Sequence, residues 1–169
     1  MIPQRRNISE LAYRQTGSGV LVPSCAFSYN HSMSNTAELV VRTYECDAYG
    51  HVNNANYLHY LEFARHEYLK AINFDYLGYT AAGYGLFVTR IEIDYKRPAI
   101  VDERLRIFSR IIKKGAVSGV MEQTITHEDA TVAIAKVQWA FVDSTGKPCR
   151  LPDRWRVPGF EPENHGLQD

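Results

Sequence analysis

The sequence has few cysteines and no excess of either charge. Cys25, Cys46 and Cys149 are the three cysteines, and no two of them form a CxxC pair. The odd number and wide spacing argue against a disulfide framework and a zinc knuckle, so reduced thiols in a cytoplasmic protein are expected. The 19 basic and 19 acidic side chains cancel to a formal net charge of zero. The strongly basic footprint of a nucleic-acid-binding protein is therefore missing, and no nucleic-acid partner is predicted.

Long hydrophobic runs are also missing. No apolar stretch approaches the roughly 18 residues that a membrane-spanning helix needs, so no membrane span is predicted. Residues 19–27 are the best signal-peptide candidate, but this stretch is short and Pro23 interrupts it. Residues 1–37 contain one acidic residue beside three arginines, so a transit peptide stays open as an alternative.

The composition suits one globular domain. A chain of 169 residues with 45% hydrophobic residues can bury a core of its own. Residues 1–37 are rich in Ser, Asn and Gly and show no sustained period, so they are predicted to be an N-terminal extension with the composition of a flexible segment. Residues 38–143 are predicted to form the folded domain, and residues 144–169 a C-terminal tail.

One long helix dominates the predicted domain. Asn53 or Asn54 is a suitable N-cap for a helix over residues 55–72. Apolar side chains recur there at helical spacing and predict a wide buried stripe: Tyr57, Leu61, Ala64 and Tyr68, with Leu58, Leu69 and Ile72 beside them. The other face of this helix carries the polar residues Glu62, Arg65, His66, Glu67 and Lys70.

Strand patterns flank this helix on both sides. Residues 38–44 predict one strand before it, and a glycine-rich connection with Gly78, Gly83 and Gly85 follows it. Further strands are predicted over residues 86–95, 103–112, 117–127 and 131–142, with a turn at residues 113–115. The aromatic residues expected in the core or at an interface are Trp139, Phe141, Phe87 and Tyr95. One helix on an antiparallel sheet is an α+β layout.

A carboxylate precedes the predicted helix N-terminus. Asp47 and Gly50 lie in the polar loop 45–54, directly before the helix. The first N–H groups of a helix have no intrahelical partner and carry partial positive charge, so an acyl carbonyl docked there would be polarised. A nearby carboxylate could attack a thioester or activate water, and Gly50 lets the backbone turn tightly. The alternative is that Asp47 only starts a turn and Asn53 or Asn54 only caps the helix.

Residues 47–69 resemble the signature of the 4-hydroxybenzoyl-CoA thioesterase family. The D-x-x-G-x-V motif matches at Asp47, Gly50 and Val52, and the N-Y pair follows at Asn56 and Tyr57. The family's E-x-A-R-x-E-x-L helix pattern matches at residues 62–69, and its strand ending in a basic residue, Arg and Pro matches at residues 92–98. The resemblance covers roughly residues 39–142, and the motif, the helix and the strand order agree independently.

The resemblance implies the hotdog fold, an antiparallel five-stranded sheet wrapped around one long central helix. It implies hydrolysis of an acyl-CoA or acyl-carrier-protein thioester, with Asp47 as the catalytic carboxylate and the backbone N–H of Asn54 as the group that polarises the carbonyl. Gly50, His51 and Asn53 are expected to contribute to substrate binding, with His51 shaping the pocket. No cofactor and no metal are implied. A homodimer or homotetramer is expected, with the acyl chain between the helix and a neighbouring subunit.

Other functions and nucleophiles stay open. A non-catalytic acyl-CoA-binding hotdog module would bind without turnover, which Asp47 at the family's catalytic position disfavours. A hotdog hydratase or dehydratase would place an Asp–His or His–Glu pair differently. Cys46 is an alternative nucleophile if His51 lowers the pKa of its thiol. Consecutive side chains in an extended stretch point in opposite directions, however, which would turn Cys46 away from Asp47.

Histidines and basic residues elsewhere suggest weaker candidate sites. His59 and His66 lie seven residues apart on the helix, but no third metal ligand is evident, so solvated histidines are favoured. Arg104, Arg106 and Arg110 alternate along one strand, and are either ligands for CoA phosphates or part of a solvated sheet face. Similar candidates for phosphate binding are Lys96, Arg97, Lys113 and Lys114.

Overall fold

The computed structural model describes residues 13–15, 21–23 and 35–162. The chain divides into two compact units, Met1–Ser32 and Met33–Asp169. In the first unit, strand β1 (Tyr13–Gln15) pairs antiparallel with strand β2 (Leu21–Pro23). Most of the predicted extension 1–37, with its transit-peptide alternative, lies outside the described residues. The domain boundaries inferred from the sequence therefore stay predictions.

A five-stranded antiparallel sheet and a long helix form the second unit. The strands are β3 (Thr36–Val40), β4 (Gly85–Tyr95), β5 (Arg104–Lys114), β6 (Ser118–His127) and β7 (Ala130–Val142). Their order across the sheet is β3-β5-β6-β7-β4, so β3 and β4 are the two edge strands. Helix α1 (Asn54–Ala71) packs on one face of this sheet and contacts β3 and β5. The predicted hotdog architecture is confirmed.

The sequence of α1 explains both its start and its buried face. Asn53 is the N-cap, and its side-chain oxygen accepts a hydrogen bond from the Ala55 N–H at 3.0 Å. The buried residues of α1 are Tyr57, Tyr60, Leu61, Ala64, Tyr68 and Leu69. The predicted stripe is thus confirmed at most positions, while Leu58 is exposed.

Arg65 was predicted on the solvent-exposed face of α1, and this is wrong. Only 12% of its side chain is exposed, and its guanidinium donates to the side-chain oxygen of Gln123 at 3.1 Å. The reason lies in β6, because Gln123 is fully buried and its amide nitrogen already donates to the Leu61 carbonyl and the Ser109 hydroxyl. Its buried carbonyl oxygen needs a donor, which the long Arg65 side chain supplies.

Two hydrophobic clusters fill the interior of the second unit. The first lies under the N-terminal half of α1 and includes Tyr57, Leu61, Leu105, Ile107 and Ile125. The second lies at the C-terminal end of α1 and includes Tyr79, Trp139, Phe141, Leu151 and Phe160. Trp139 and Phe141 thus lie in the core, which is one of the two locations predicted for them. Phe87 and Tyr95 are exposed on edge strand β4, so the other predicted location, an interface, remains a prediction for these two.

A second helix, α2 (Tyr76–Ala81), and the C-terminal residues complete the second cluster. The sequence predicted only a glycine-rich connection where α2 lies. Asp75 caps α2 by accepting a hydrogen bond from the Gly78 N–H at 2.9 Å, and Tyr79 is fully buried. In the predicted C-terminal tail, Leu151 and Phe160 are also buried. The tail therefore supplies part of the core.

Two strand ends differ from the prediction. The first strand ends at Val40 rather than at residue 44, and a 3-10 turn follows at Thr43–Glu45. The turn is stabilised because the Arg42 N–H donates to the Glu45 carboxylate at 2.7 Å. The turn predicted at residues 113–115 begins only at Gly115, since β5 continues through Lys114 and the Gly115 N–H donates to the Ser118 carbonyl at 2.7 Å.

Candidate active site

The loop before α1 holds Asp47 through hydrogen bonds to its backbone and side chain. The Asp47 N–H donates to the His51 carbonyl at 2.8 Å, and the Gly50 N–H donates to the Asp47 carbonyl at 3.0 Å. Gly50 has a φ of 78°, the left-handed conformation that glycine adopts without steric cost. The Tyr49 N–H donates to Oδ1 of Asp47 at 2.9 Å. The turn thus fixes the carboxylate through Oδ1, and Oδ2 has no hydrogen-bond partner within residues 35–162.

The first turn of α1 presents backbone N–H groups next to this loop. The Asn53 side chain accepts from the Ala55 N–H, and the Asn53 carbonyl accepts from the Asn56 N–H at 2.9 Å. Within the part of the chain that the structure describes, the Asn54 N–H has no acceptor. A free N–H at a helix N-terminus carries partial positive charge and can bind a developing oxyanion.

Asp47 and the N-terminus of α1 meet at an open pocket of about 420 Å³, which we call the Asp47 pocket. Three of the five candidate site residues line it: Asp47, His51 and Asn54. Gly50 and Asn53 do not line it, and they act on the backbone around it instead. The remaining walls are Val52, Tyr57, Tyr95, Lys96, Arg97 and Pro98.

Two tyrosines form a wall that the sequence did not predict as part of the site. The Tyr57 and Tyr95 rings meet edge-on with centroids 5.1 Å apart, and the Tyr95 hydroxyl donates to the Asn54 carbonyl at 3.3 Å. The Tyr57 hydroxyl accepts from the Ala99 N–H at 3.2 Å, and burial raises the pKa of Tyr57 above its usual value. Two features of the sequence could have indicated that these tyrosines lie at the site. Tyr57 follows the N-cap residue Asn53 by four residues, and Tyr95 precedes Arg97 by two.

Cys46 and Asp47 face different surroundings. Cys46 packs against the first hydrophobic cluster, and its thiol lies 3.9 Å from the Arg42 carbonyl. Asp47 lines the open pocket, and Cys46 does not. The two consecutive side chains therefore lie in different environments, as expected, and only the Asp47 carboxylate reaches the pocket.

Most of the basic candidates for phosphate binding lie outside the pocket. Arg104 and Arg106 pair with Glu38 at 3.6 and 3.5 Å, and Arg110 pairs with Glu122 at 2.5 Å. Lys96 and Arg97 do line the pocket, and Arg97 is held by the Glu103 carboxylate at 3.1 Å. Two residues at the end of β5, Lys113 and Lys114, do not line it, and Lys114 is paired with Glu161.

The histidines of α1 do not form a metal site within the described ranges. Among the residues that the structure describes, no group of three or more His, Cys, Asp or Glu side chains is placed to hold a metal ion. His66 instead packs edge-on against the Tyr76 ring at 6.4 Å. In the same part of the chain, no helix is both long enough and apolar enough to cross a membrane.

Known proteins resemble this chain in sequence and in fold. The sequence profile of the thioesterase-like superfamily matches residues 41–157. The long-chain acyl-CoA thioesterase FadM of Escherichia coli strain K12 is 37% identical over 106 residues, 62% of this chain and 79% of FadM. The crystal structure of the probable thioesterase YbaW from Escherichia coli is 36% identical with a TM-score of 0.64, covering 72% of this chain and 92% of that one.

A solved structure with bound coenzyme A has the same fold. The thioesterase from Thermus thermophilus, crystallised with coenzyme A and Zn, is 30% identical with a TM-score of 0.62, and the match covers 70% of this chain and 90% of that one. The profile match, the identity to named thioesterases and the shared fold agree with one another. The chain therefore belongs to the thioesterase-like superfamily and is a thioester hydrolase with the hotdog fold.

Proposed function

We propose that the chain hydrolyses acyl-CoA thioesters at the pocket formed by Asp47 and the N-terminus of α1. The observation that carries this proposal is the shared pocket of the Asp47 carboxylate and Asn54, the first residue of the helix. A carboxylate and a backbone oxyanion donor are the two groups that thioester hydrolysis needs when no serine, cysteine or metal takes part.

The chemistry follows from the two groups. The Asn54 N–H donates a hydrogen bond to the carbonyl oxygen as negative charge develops on it, in a position where the helix dipole favours an anion. Oδ2 of Asp47 is the free carboxylate oxygen. It either attacks the carbonyl carbon, expelling the CoA thiolate and leaving a mixed anhydride that water cleaves, or removes a proton from the water that attacks. Both routes end in a free acid and a thiol, and both need the carboxylate in this place.

The other predicted site residues have supporting roles in this proposal. Gly50 and Asn53 fix the loop and the first turn of α1, and His51 forms part of the pocket wall. Lys96 and Arg97 stand at the pocket with positive charge, which suits the phosphates of coenzyme A or of a carrier-protein arm. Coenzyme A is favoured because the relatives of higher identity are acyl-CoA thioesterases, whereas the acyl-carrier-protein thioesterase ATL2 is 29% identical.

A homodimer is part of the proposal. Among the described strands, β4 pairs only with β7, and Phe87, Val88 and Tyr95 on β4 are exposed. An open apolar edge strand favours pairing with another strand, here β4 of a second copy. The acyl chain would then lie between α1 and the neighbouring subunit. Further association to a tetramer stays a prediction, as does a cytoplasmic location, which the free thiols of Cys46 and Cys149 support.

The test is release of free thiol from a panel of acyl-CoAs by the wild-type protein and the variant Asp47→Asn. Asparagine can still accept the Tyr49 N–H, so the loop should keep its shape and the melting temperature should change little. The kcat should fall by at least ~100-fold, because the base or nucleophile is lost. The KM should change little, because the carboxylate acts mainly on the transition state.

Cys46→Ala is the matched control at the neighbouring position, and its kcat should stay within a few-fold of wild type. A folded Asp47→Asn variant with near-normal kcat would rule out the proposed mechanism. A wild-type protein that binds acyl-CoAs without releasing thiol would instead support the non-catalytic binding module.

A further inference from the structure

A second pocket, which we call the inner pocket, lies beside the C-terminal half of α1. Its volume is about 350 Å³. The buried apolar side chains that line it are Leu69, Ile111, Met121, Trp139 and Phe160. Glu62, Arg65 and His66 line it on the side of the helix. None of the residues around the Asp47 pocket lines the inner pocket, so the two are separate in one subunit.

The residues that line the inner pocket differ in exposure. Phe87 and Val88 on edge strand β4 are 58% and 42% exposed, whereas Phe160 and Trp139 are 2% and 4% exposed. A linear group that enters past Phe87 and Val88 would therefore meet Phe160 and Trp139 as buried walls.

The charged side chains of the inner pocket already have partners and do not favour a charged ligand. The Arg65 guanidinium is already bound to the Gln123 side chain and to the Glu62 carboxylate. An anionic ligand would have to displace Glu62, whereas a ligand that is apolar along its length leaves this pair intact. Ligand pockets of this size are typically lined by hydrophobic and aromatic side chains, so the inner pocket suits a ligand that is apolar along its length.

We propose that the inner pocket binds the acyl chain of the thioester substrate and that Phe160 sets the longest chain it accepts. This proposal rests on the proposed thioesterase function. It assigns a specificity-determining role to the C-terminal segment, which lies far along the sequence from Asp47.

The proposed homodimer would give the acyl chain a short path to this pocket. At 1.5 Å per residue, the stretch of α1 that lines the inner pocket, Glu62 to Leu69, lies about 12 to 22 Å along the helix from Asn54. Within one β4 strand, Tyr95 lies at the Asp47 pocket and Phe87 at the inner pocket. Antiparallel pairing of two β4 strands in the proposed homodimer would therefore bring the Asp47 pocket of one subunit close to Phe87 at the inner pocket of the other.

Phe160 is held firmly enough to act as a fixed stop. Its ring packs against Phe74, Trp139 and Phe141, with centroids 5.0, 5.6 and 5.4 Å away. The carbonyl of the preceding Gly159 accepts a hydrogen bond from the Tyr68 hydroxyl at 2.6 Å. Gly159 itself packs so closely on Ile72 that a Cβ atom would have no space.

The volume of the pocket sets the expected chain length. A water molecule takes about 30 Å³ in the liquid and a methylene group is similar in size, so the pocket holds roughly ten carbons. Each buried methylene strengthens binding roughly fourfold. Affinity should therefore rise with chain length up to roughly ten carbons and then level off, because further carbons meet Phe160. We call the chain length at which the affinity stops rising the levelling point.

The experiment measures binding of S-alkyl-CoA thioethers with 4 to 18 carbons, which cannot be hydrolysed, to the wild-type full chain. The same series is measured with Phe160→Ala and with the milder Phe160→Leu. Loss of the ring should move the levelling point to chains roughly three carbons longer, and the milder change should move it less. Hydrolysis of the matching acyl-CoAs should show the same shift in kcat/KM.

Phe74→Ala is the matched control. Phe74 belongs to the same buried cluster and touches Phe160, but it does not line the inner pocket. Its loss should lower the melting temperature and leave the levelling point in place. A third variant, Leu86→Phe, fills the pocket from its partly exposed side and should move the levelling point to shorter chains. It keeps the proposal testable if both Phe160 variants fail to fold.

Two failures are distinguishable. If the wild type hydrolyses acyl-CoAs but its levelling point stays fixed in the Phe160 variants, or in Leu86→Phe when those do not fold, the inner pocket is not the acyl site. The same conclusion follows if Phe74→Ala moves the point as far as Phe160→Ala does. If no acyl-CoA is hydrolysed, the proposed function fails, and the thioether series still reports whether the pocket binds alkyl chains.

Discussion

The two ends of α1 are built from different kinds of contacts. At its N-terminus, backbone hydrogen bonds between Asp47, Gly50 and His51 hold a polar loop around an open pocket. At its C-terminus, aromatic rings pack around Phe141 and Phe160 in a closed cluster. Hydrogen bonds fix direction and aromatic packing buries area. The kcat should therefore depend on the N-terminal end of α1, and the free energy of unfolding mostly on the C-terminal end.

The buried polar network lies between these two ends. Gln123 links the middle of α1 to β5 through hydrogen bonds to Leu61, Arg65 and Ser109. On β6, Gln123 lies between Met121 of the second cluster and Ile125 of the first, so variants at Gln123 test whether the two ends of α1 are coupled. Substitutions at each end of α1 then test whether the free energy of unfolding and the kcat can be changed independently of each other.

The largest stability loss is expected for Phe141→Ala. Phe141 is fully buried and packs against Tyr79, Trp139 and Phe160. Deleting a buried phenyl ring costs about 3–5 kcal/mol of unfolding free energy. The kcat of the folded fraction at low temperature should stay within a few-fold of wild type. Urea unfolding and steady-state hydrolysis measure the two quantities.

Phe108→Ala is the control for this variant, because Phe108 is 40% exposed on the outer sheet face. Its stability loss should be well below that of Phe141→Ala. A drop in kcat that parallels the stability loss of Phe141→Ala would contradict the separation of the two ends.

Gln123→Ala should destabilise the fold by about 2–4 kcal/mol. The variant leaves the Ser109 hydroxyl and the Arg65 guanidinium without a buried partner, and unsatisfied buried polar groups are costly. The matched control is Gln138→Ala on β7, which is only partly buried. Chemical denaturation gives the two free energies, and equal losses in both variants would show that the network contributes nothing.

Alkaline pH should weaken both clusters. Burial raises the pKa of Tyr60, which also donates to the Glu45 carboxylate at 2.9 Å, and burial raises the pKa of Tyr79. Unfolded tyrosines ionise near pH 10 while the folded ones stay protonated, so stability is complete below about pH 10 and falls above it. The expected slope is about 1 kcal/mol per pH unit for each tyrosine.

Unfolding free energies between pH 9 and 11.5 measure this slope. Tyr60→Phe and Tyr79→Phe should each reduce it, the first at the Asp47 end and the second at the C-terminal end of α1. An unchanged slope in both variants would assign the alkaline loss to other groups.

Tyr95→Phe should have the smallest effect. It removes one hydrogen bond of 3.3 Å to the Asn54 carbonyl and keeps the ring that forms the pocket wall. The kcat/KM should fall a few-fold, since a neutral hydrogen bond contributes about 1 kcal/mol at most in such an exposed place. Tyr44→Phe, at an exposed position outside the Asp47 pocket, is the control. A hundredfold loss would give Tyr95 a direct role in the chemistry.

The sequence predicted those features that depend on periodicity and on a local motif. The stripe of α1 and the alternation of β5 are periodic, and Asp47, His51 and Asn54 lie within eight residues of one another. Helix α2 was missed because it is six residues long and contains Gly78, and such a short segment shows no period. The inward direction of Arg65 depends on Gln123, 58 residues away, and no local pattern reports it.

The C-terminal segment was predicted to be a tail for a similar reason. Residues 148–162 form two 3-10 turns, and neither has a repeating pattern. Phe160 is buried only because Phe74, Trp139 and Phe141 surround it, and these residues belong to other segments of the chain. Non-local packing of this kind cannot be read from a single window of sequence.

The closure of the second cluster by Leu151 and Phe160 also affects how the chain folds during synthesis. The ribosome releases the sheet strands and α1 before these residues emerge. Until then, Tyr79, Trp139 and Phe141 lack the side chains that cover them in the native protein. The nascent chain therefore presents an aromatic surface until Leu151 and Phe160 have emerged and packed, and exposed surface of this kind is what chaperones bind and what leads to aggregation.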